Sequence, residues 1–159
     1  MSEHAGPGLV AVRIVGLPLD VYARASEHND ELLREFALIR EDNSDHVPAR
    51  LLDLIDDLNA RFAAFTQGPT TALHQALARG DNEIDLHYEV PVEAADAAVR
   101  LGALLDEADD FCRSGDLLTL ATLPETLAFR RWFLGEFAAQ VDGRPPRPWS
   151  AVMGATAEG

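Results

Sequence analysis

A chain of 159 residues with 47% hydrophobic and 25% charged side chains is long enough for one sizeable core and too short for two, and its composition is that of a folded globular protein rather than a disordered one. The 27 acids and 13 bases leave a formal charge of −14, so a nucleic-acid backbone or an anionic membrane surface would repel it. A single cysteine, Cys112, excludes an internal disulfide. With no basic segment leading into an apolar run at the start, and no stretch near the roughly 20 apolar residues of a membrane span, the expected location is cytoplasmic. Every base is Arg, a usage that accompanies GC-rich coding.

Residues 1–8 (MSEHAGPG) lack periodicity and read as an N-terminal tail. One globular domain is expected over 9–142, followed by a Pro/Gly-rich C-terminal tail over 143–159 in which Trp149 tucks against the body. Three segments inside the domain share one grammar: VRIVGLPLDVYARA, IDLHYEVPVEAADA and LLTLATLPETLAFR each place a short apolar or alternating run before Pro, then a helical pattern. Pro18, Pro91 and Pro124 fall where a strand stops and a helix begins, because Pro has no donor for a sheet ladder yet suits a first helical turn.

In chain order, the first helix is expected from Asp20 to Arg40. Val21, Ala25, His28, Leu32, Phe36 and Ile39 form one stripe along it. Pro48 opens a second helix, with Ser44 and Asp45 as candidate caps and Leu51, Ile55, Leu58, Phe62 and Phe65 on one seam. Gly68-Pro69 is expected to break it, leaving a shorter helix with Leu73 and Leu77 that ends at Gly80. Ile84, Leu86, Tyr88 and Val90 alternate with polar residues, the period of a half-buried strand. A helix over Val92 to Arg113 ending at Gly115, a short strand over Leu117 to Ala121, and a last helix over Glu125 to Val141 complete the pattern.

The implied class is helix-dominated α+β, with about five helices and a two- to three-stranded sheet in the order β-α-α-α-β-α-β-α. Strands joined through helices would run parallel with right-handed crossovers. The last helix carries Phe129, Trp132, Phe133 and Phe137, too many large apolar groups for one narrow stripe. It is therefore either buried on two sides or turned toward a protein partner or a second copy of the chain in a homodimer.

Chemical motifs are scarce. No two of His4, His28, His46, His74 and His87 have the close spacing of a zinc-binding pair, so no metal ligand is assigned; only helix packing could still bring His28, Glu31 and His74 together. His28, on an otherwise apolar stripe, reads as a core-edge histidine or as the polar anchor of a pocket. The adjacent pairs Asp56-Asp57 and Asp109-Asp110 read as solvated faces. Cys112 lies near a helix C-terminus, where the dipole disfavours a thiolate. Neither a phosphate-binding glycine loop nor a nucleophile elbow occurs. No catalytic residue and no cofactor is assigned.

The stretches LDVYARASEHNDELLREFALI, LLDLIDDLNARF, EVPVEAADAAVRLGALLDEADDFCRSGDLLTLATLPETLAFRRWFLGEF and PPRPW, covering roughly Val10 to Trp149, resemble a family of small actinobacterial proteins. That family keeps the genomic company of sigma-factor partner-switching systems: anti-sigma serine kinases, STAS-domain antagonists and serine phosphatases. LTLATLPETLAFRRWFLGEF is similar to the strand-Pro-helix opening of the kinase domains. The kinase motifs themselves are missing: the residues four before Asn29, Asn43, Asn59 and Asn82 are Ala25, Ile39, Ile55 and Ala78, where a magnesium-binding Glu would stand, and no Asp-x-Gly-x-Gly follows. The scarcity of chemical motifs, the aromatic last helix and this resemblance together point to a non-catalytic regulatory or adaptor protein working through protein contacts in a setting such as sigma-factor partner switching, with Phe129, Trp132, Phe133 and Phe137 of that helix as contact residues. The competing reading is a small-molecule or metal sensor, or a cryptic enzyme, with a pocket between the first two helices and the sheet and His28 as an anchor.

Overall fold

In strand β1 (Leu9–Pro18) the burial pattern follows the alternation of side chains across a pleat, with Val12 and Ile14 fully buried. The next buried residue is Leu17, three positions on, which simple alternation would turn outward. The computed structural model, which describes residues 8–40, 47–114 and 122–158, shows why. The register with strand β2 (Glu83–Pro91) shifts between Ile14 and Leu17. Gly16 takes φ +69° and donates its N–H to Asp85 Oδ1 at 2.7 Å. This glycine bulge inserts one residue and returns Leu17 to the core face. A Cβ at Gly16 meets nothing within 4 Å, so Gly16→Ala is expected to cost about 1–2 kcal/mol from left-handed backbone strain alone. Urea unfolding measures it.

Among the described residues the sheet is two-stranded and antiparallel, not parallel as a strand-helix-strand reading implied. Two helices rather than one separate the strands: α1 (Leu19–Arg40) leads away and α2 (Val47–Arg79) comes back. The entry to α1 and the entry to β2 are therefore neighbours, joined by the Leu19 N–H on the Asn82 carbonyl at 3.0 Å. Chain direction reverses between the strands as a result. Pro18 and Pro91 each end a strand, as their missing donors require. The short strand expected at Leu117 to Ala121, the helix end at Gly115 and the caps Ser44 and Asp45 lie outside the described residues.

Gly68-Pro69 does not break the second helix; Pro69 stands inside a continuous 33-residue α2. Phe62 and Phe65 before it and Leu73 and Ala76 after it all pack into the same core, so tertiary burial on both sides keeps the helix continuous through a locally unfavourable residue. Pro69→Ala should restore a donor for the Phe65 carbonyl and stabilise the fold by at least about 1 kcal/mol, read as a higher midpoint of thermal unfolding.

α3 (Glu93–Ser114) and α4 (Pro124–Val141) follow. Pro124 opens α4 in the first turn, and Thr126 Oγ1 donates to the Leu123 carbonyl at 3.0 Å. A fifth helix, α5 (Trp149–Glu158), occupies much of the segment read as a tail. The count of five among the described residues thus arises differently from expectation: two helices fuse into α2 and one is added at the end.

The core has two parts. One joins the sheet to α4, α5 and the C-terminal half of α2. The other joins α1, α2 and α3 through Leu32, Phe36, Leu51, Leu54, Leu104, Leu105, Ala108 and Cys112. Leu134 packs against both.

α4 is buried on two sides. Phe129, Trp132 and Phe137 are buried and Phe133 is partly so. These are the four residues expected to meet a partner if α4 were not buried on two sides; in this structure the sheet, α1, α3 and Trp149 surround them, and they form an internal aromatic network. Trp132 packs on Trp149 with ring centroids 5.4 Å apart and donates its indole N–H to the Arg147 carbonyl at 2.7 Å. Buried Gln140 takes the Arg13 N–H on Oε1 at 2.8 Å and donates Nε2 to the Arg13 carbonyl at 2.7 Å. Glu136 accepts from Gln140 at 2.8 Å and from the Arg147 N–H at 2.9 Å. The chain after α4 is thereby strapped to the body before α5 begins.

Candidate ligand pocket

Tyr22, Ser26 and Asn29 recur at steps of four and three along α1, which places them on one stripe. Leu101 and Leu105 do the same on α3, and Arg130, Phe133 and Leu134 on α4. Where these stripes meet, the three helices leave an open cleft of about 330 Å³, the lower end of the range for small-molecule sites. Its walls are mostly apolar; Ser26, Asn29, Asp30 and Arg130 supply the polar groups.

Arg130 is the unusual member. It stands on the stripe of an aromatic helix, its side chain is only 10% exposed, and it is anchored by two carboxylates of α3. Nη2 lies 2.5 Å from Asp106 Oδ1 and 3.1 Å from Asp109 Oδ2. Asp109 is buried and also accepts the Thr122 hydroxyl at 2.8 Å and the Thr122 N–H at 3.2 Å on its other oxygen. The Thr122 hydroxyl hydrogen is thus committed to Asp109. Its oxygen is left to accept from Arg130 Nη1 at 3.3 Å and from His28 Nε2 at 3.2 Å, which requires the imidazole tautomer carrying a hydrogen on Nε2. Arg130 Nε is buried without an acceptor among the described residues.

This latch ties α1, α3, α4 and the segment before α4 together behind the cleft. His28 is a core-edge histidine held by Thr122; it supports the pocket from behind and does not line it. The cleft itself lies between α1, α3 and α4, rather than between the first two helices and the sheet. The reading of Asp109-Asp110 as a solvated pair holds for Asp110, which is 78% exposed and pairs with Arg113, and fails for Asp109. Adjacent residues on a helix point about 100° apart, so one faces α4 and the other water. Arg130, Asp106 and Thr122 went unassigned from sequence, although a charge on an otherwise apolar helical stripe is a readable sign of a buried partner.

Among the described residues, no three His, Cys, Asp or Glu side chains gather in a metal-holding group, so His28, Glu31 and His74 do not converge. No described helix is long and apolar enough to cross a membrane. Cys112, buried at the foot of α3, has its thiol pushed up to about 11, first by burial, then by Asp109 and Glu35, with Arg113 opposing. An unfolded cysteine ionises near 9, so stability should fall as pH rises from about 9 to 11, where only the unfolded thiol has lost its proton. Alkylation by iodoacetamide at pH 8 is expected to be at least about tenfold slower in the native protein than in urea. Equal rates would show an accessible thiol.

No family model, curated protein or solved structure matches the chain.

Proposed function

We propose that this chain is a non-catalytic binding domain whose cleft between α1, α3 and α4 takes up a small, largely apolar molecule with a hydrogen-bonding group. The observation that carries the reading is the cleft's make-up: aromatic and aliphatic walls from three helices, a few polar groups, and a neutralised arginine held rigidly behind them. Such a surface favours binding, because apolar area leaves water while the polar groups set orientation. The groups nearby are poorly suited to catalysis. The Thr122 hydroxyl donates to a carboxylate, His28 faces it as a donor rather than a base, and the Cys112 thiol stays protonated.

A regulatory role follows naturally for a site formed by three separate helices, since occupancy changes their spacing and the acidic outer faces they present to another protein. The resemblance to partner-switching proteins supplies a setting for that role; the buried aromatics of α4 do not supply its contact surface. A thermal-shift panel of small amphipathic compounds tests the binding reading. A ligand at a hundred times its Kd should add about 2.7 kcal/mol, and Ala25→Trp, which fills the cleft from α1, should abolish the gain. A panel in which no compound stabilises the wild-type protein, or in which Ala25→Trp responds equally, would contradict the assignment.

A further inference from the structure

The cleft has a neighbour. A second, smaller cavity of about 170 Å³, also open to solvent, lies between α2, β2, α3 and α4, with Leu58, Phe62 and Ala63 on one side and Ala94, Ala98 and Phe137 on the other. Phe133 and Leu134 line both, so this pair is the partition. The face of α3 runs past each in turn, from Ala94 and Ala98 beside the second cavity to Leu101 and Leu105 beside the first. At about 1.5 Å rise per residue, that path is about 16 Å long. Phe133 is only partly buried, unlike Phe129 and Phe137, and rests on rings at both ends: Phe129 at 6.2 Å and Phe137 at 5.5 Å. Swinging it aside would join the two spaces end to end.

Among the described residues the charged groups are all at one end, and their net charge is negative. Arg130 is opposed by two carboxylates, and Asp30, exposed at the rim of the first cleft, has no ion pair among the described residues. Among the described residues the far cavity offers only Asn59 and Thr66 between apolar walls.

Building on the binding reading above, we propose that the ligand is a single-chain aliphatic amine: its ammonium head sits at Asp30 and Asn29, and its tail passes Phe133 into the second cavity. An extended chain advances about 1.3 Å per carbon, so the path holds about a dozen carbons. An anionic head is disfavoured, because Arg130, the one buried cation at the site among the described residues, is already neutralised.

Calorimetric titration with unbranched alkylamines of increasing length, below their micellar concentrations, tests this. Affinity should rise about fourfold per added carbon up to about a dozen carbons and then level off. Ala63→Phe, placed on an exposed turn of α2 to fill the second cavity, should move that limit down by several carbons and leave short amines unaffected. Dodecylamine should bind at least about tenfold more tightly than dodecanoate, and Asp30→Asn should remove most of that preference while leaving dodecanol unchanged. A limit near six carbons in the wild-type protein, or one that Ala63→Phe does not move, overturns the joined-cavity proposal while Ala25→Trp-sensitive binding of short chains keeps the pocket. Dodecanoate binding as well as dodecylamine overturns the choice of head group. An absence of binding at any length and with any head group overturns the pocket as well.

Discussion

Arg130→Met is expected to destabilise the fold by about 3–5 kcal/mol, the usual loss when one member of a buried ion pair is removed and its partner stays charged. Asp109 would keep its two Thr122 hydrogen bonds and lose the cation that compensates its burial among the described residues. The paired substitution Arg130→Met with Asp109→Asn should recover more than half of the loss, because the remaining charge goes too while the amide oxygen can still accept from Thr122. Urea unfolding of the two variants, extrapolated to water, gives both values. A single-variant loss below about 1 kcal/mol would place the latch with screened surface pairs such as Arg113 and Asp110.

Phe129→Ala should be equally severe, at about 3–5 kcal/mol, or about 6–20 °C in Tm for a chain of this size. Phe129 is 5% exposed and lies within ring-packing distance of Tyr22, Trp132, Phe133 and Trp149, so truncation leaves a cavity in contact with four aromatic neighbours. A residue reserved for docking would behave otherwise: Val99→Ala, at a side chain 58% exposed on α3, should stay within about 0.5 kcal/mol of the wild-type protein. A small effect at Phe129 would return α4 to the surface.

Local pattern carried much of the architecture. Strict alternation from Ile84 to Val90 and the prolines at 18, 91 and 124 marked real strand ends and helix starts, because these signals depend on neighbours in the chain. What the pattern missed depends on contacts made at a distance. Strand direction was set by two helices returning to their origin, the continuity of α2 by core residues on both sides of Pro69, and the placement of the α4 aromatics by the arrival of Trp149 from the end of the chain.

The site was legible only in part. His28 stood out because a polar group interrupted an apolar stripe, and the same test applied to Arg130 would have marked it too. Asp109 was indistinguishable from Asp110 in sequence: the choice between them is a rotation on α3, decided by Arg130 twenty-one residues later. Gly16 went unassigned although a lone glycine inside a strand is a mark of a bulge, and only pairing with Asp85 shows the phase shift it makes.

The two hydrogen bonds between the Gln140 amide and the Arg13 backbone have a consequence for solubility. A two-stranded sheet has two open margins, each a template on which another extended chain could dock. Here a carboxamide presents the acceptor and donor that an incoming strand would offer, so one margin is already satisfied at Arg13. With Leu at position 140 that margin would be vacated, and concentrated solutions should grow intermolecular β-structure.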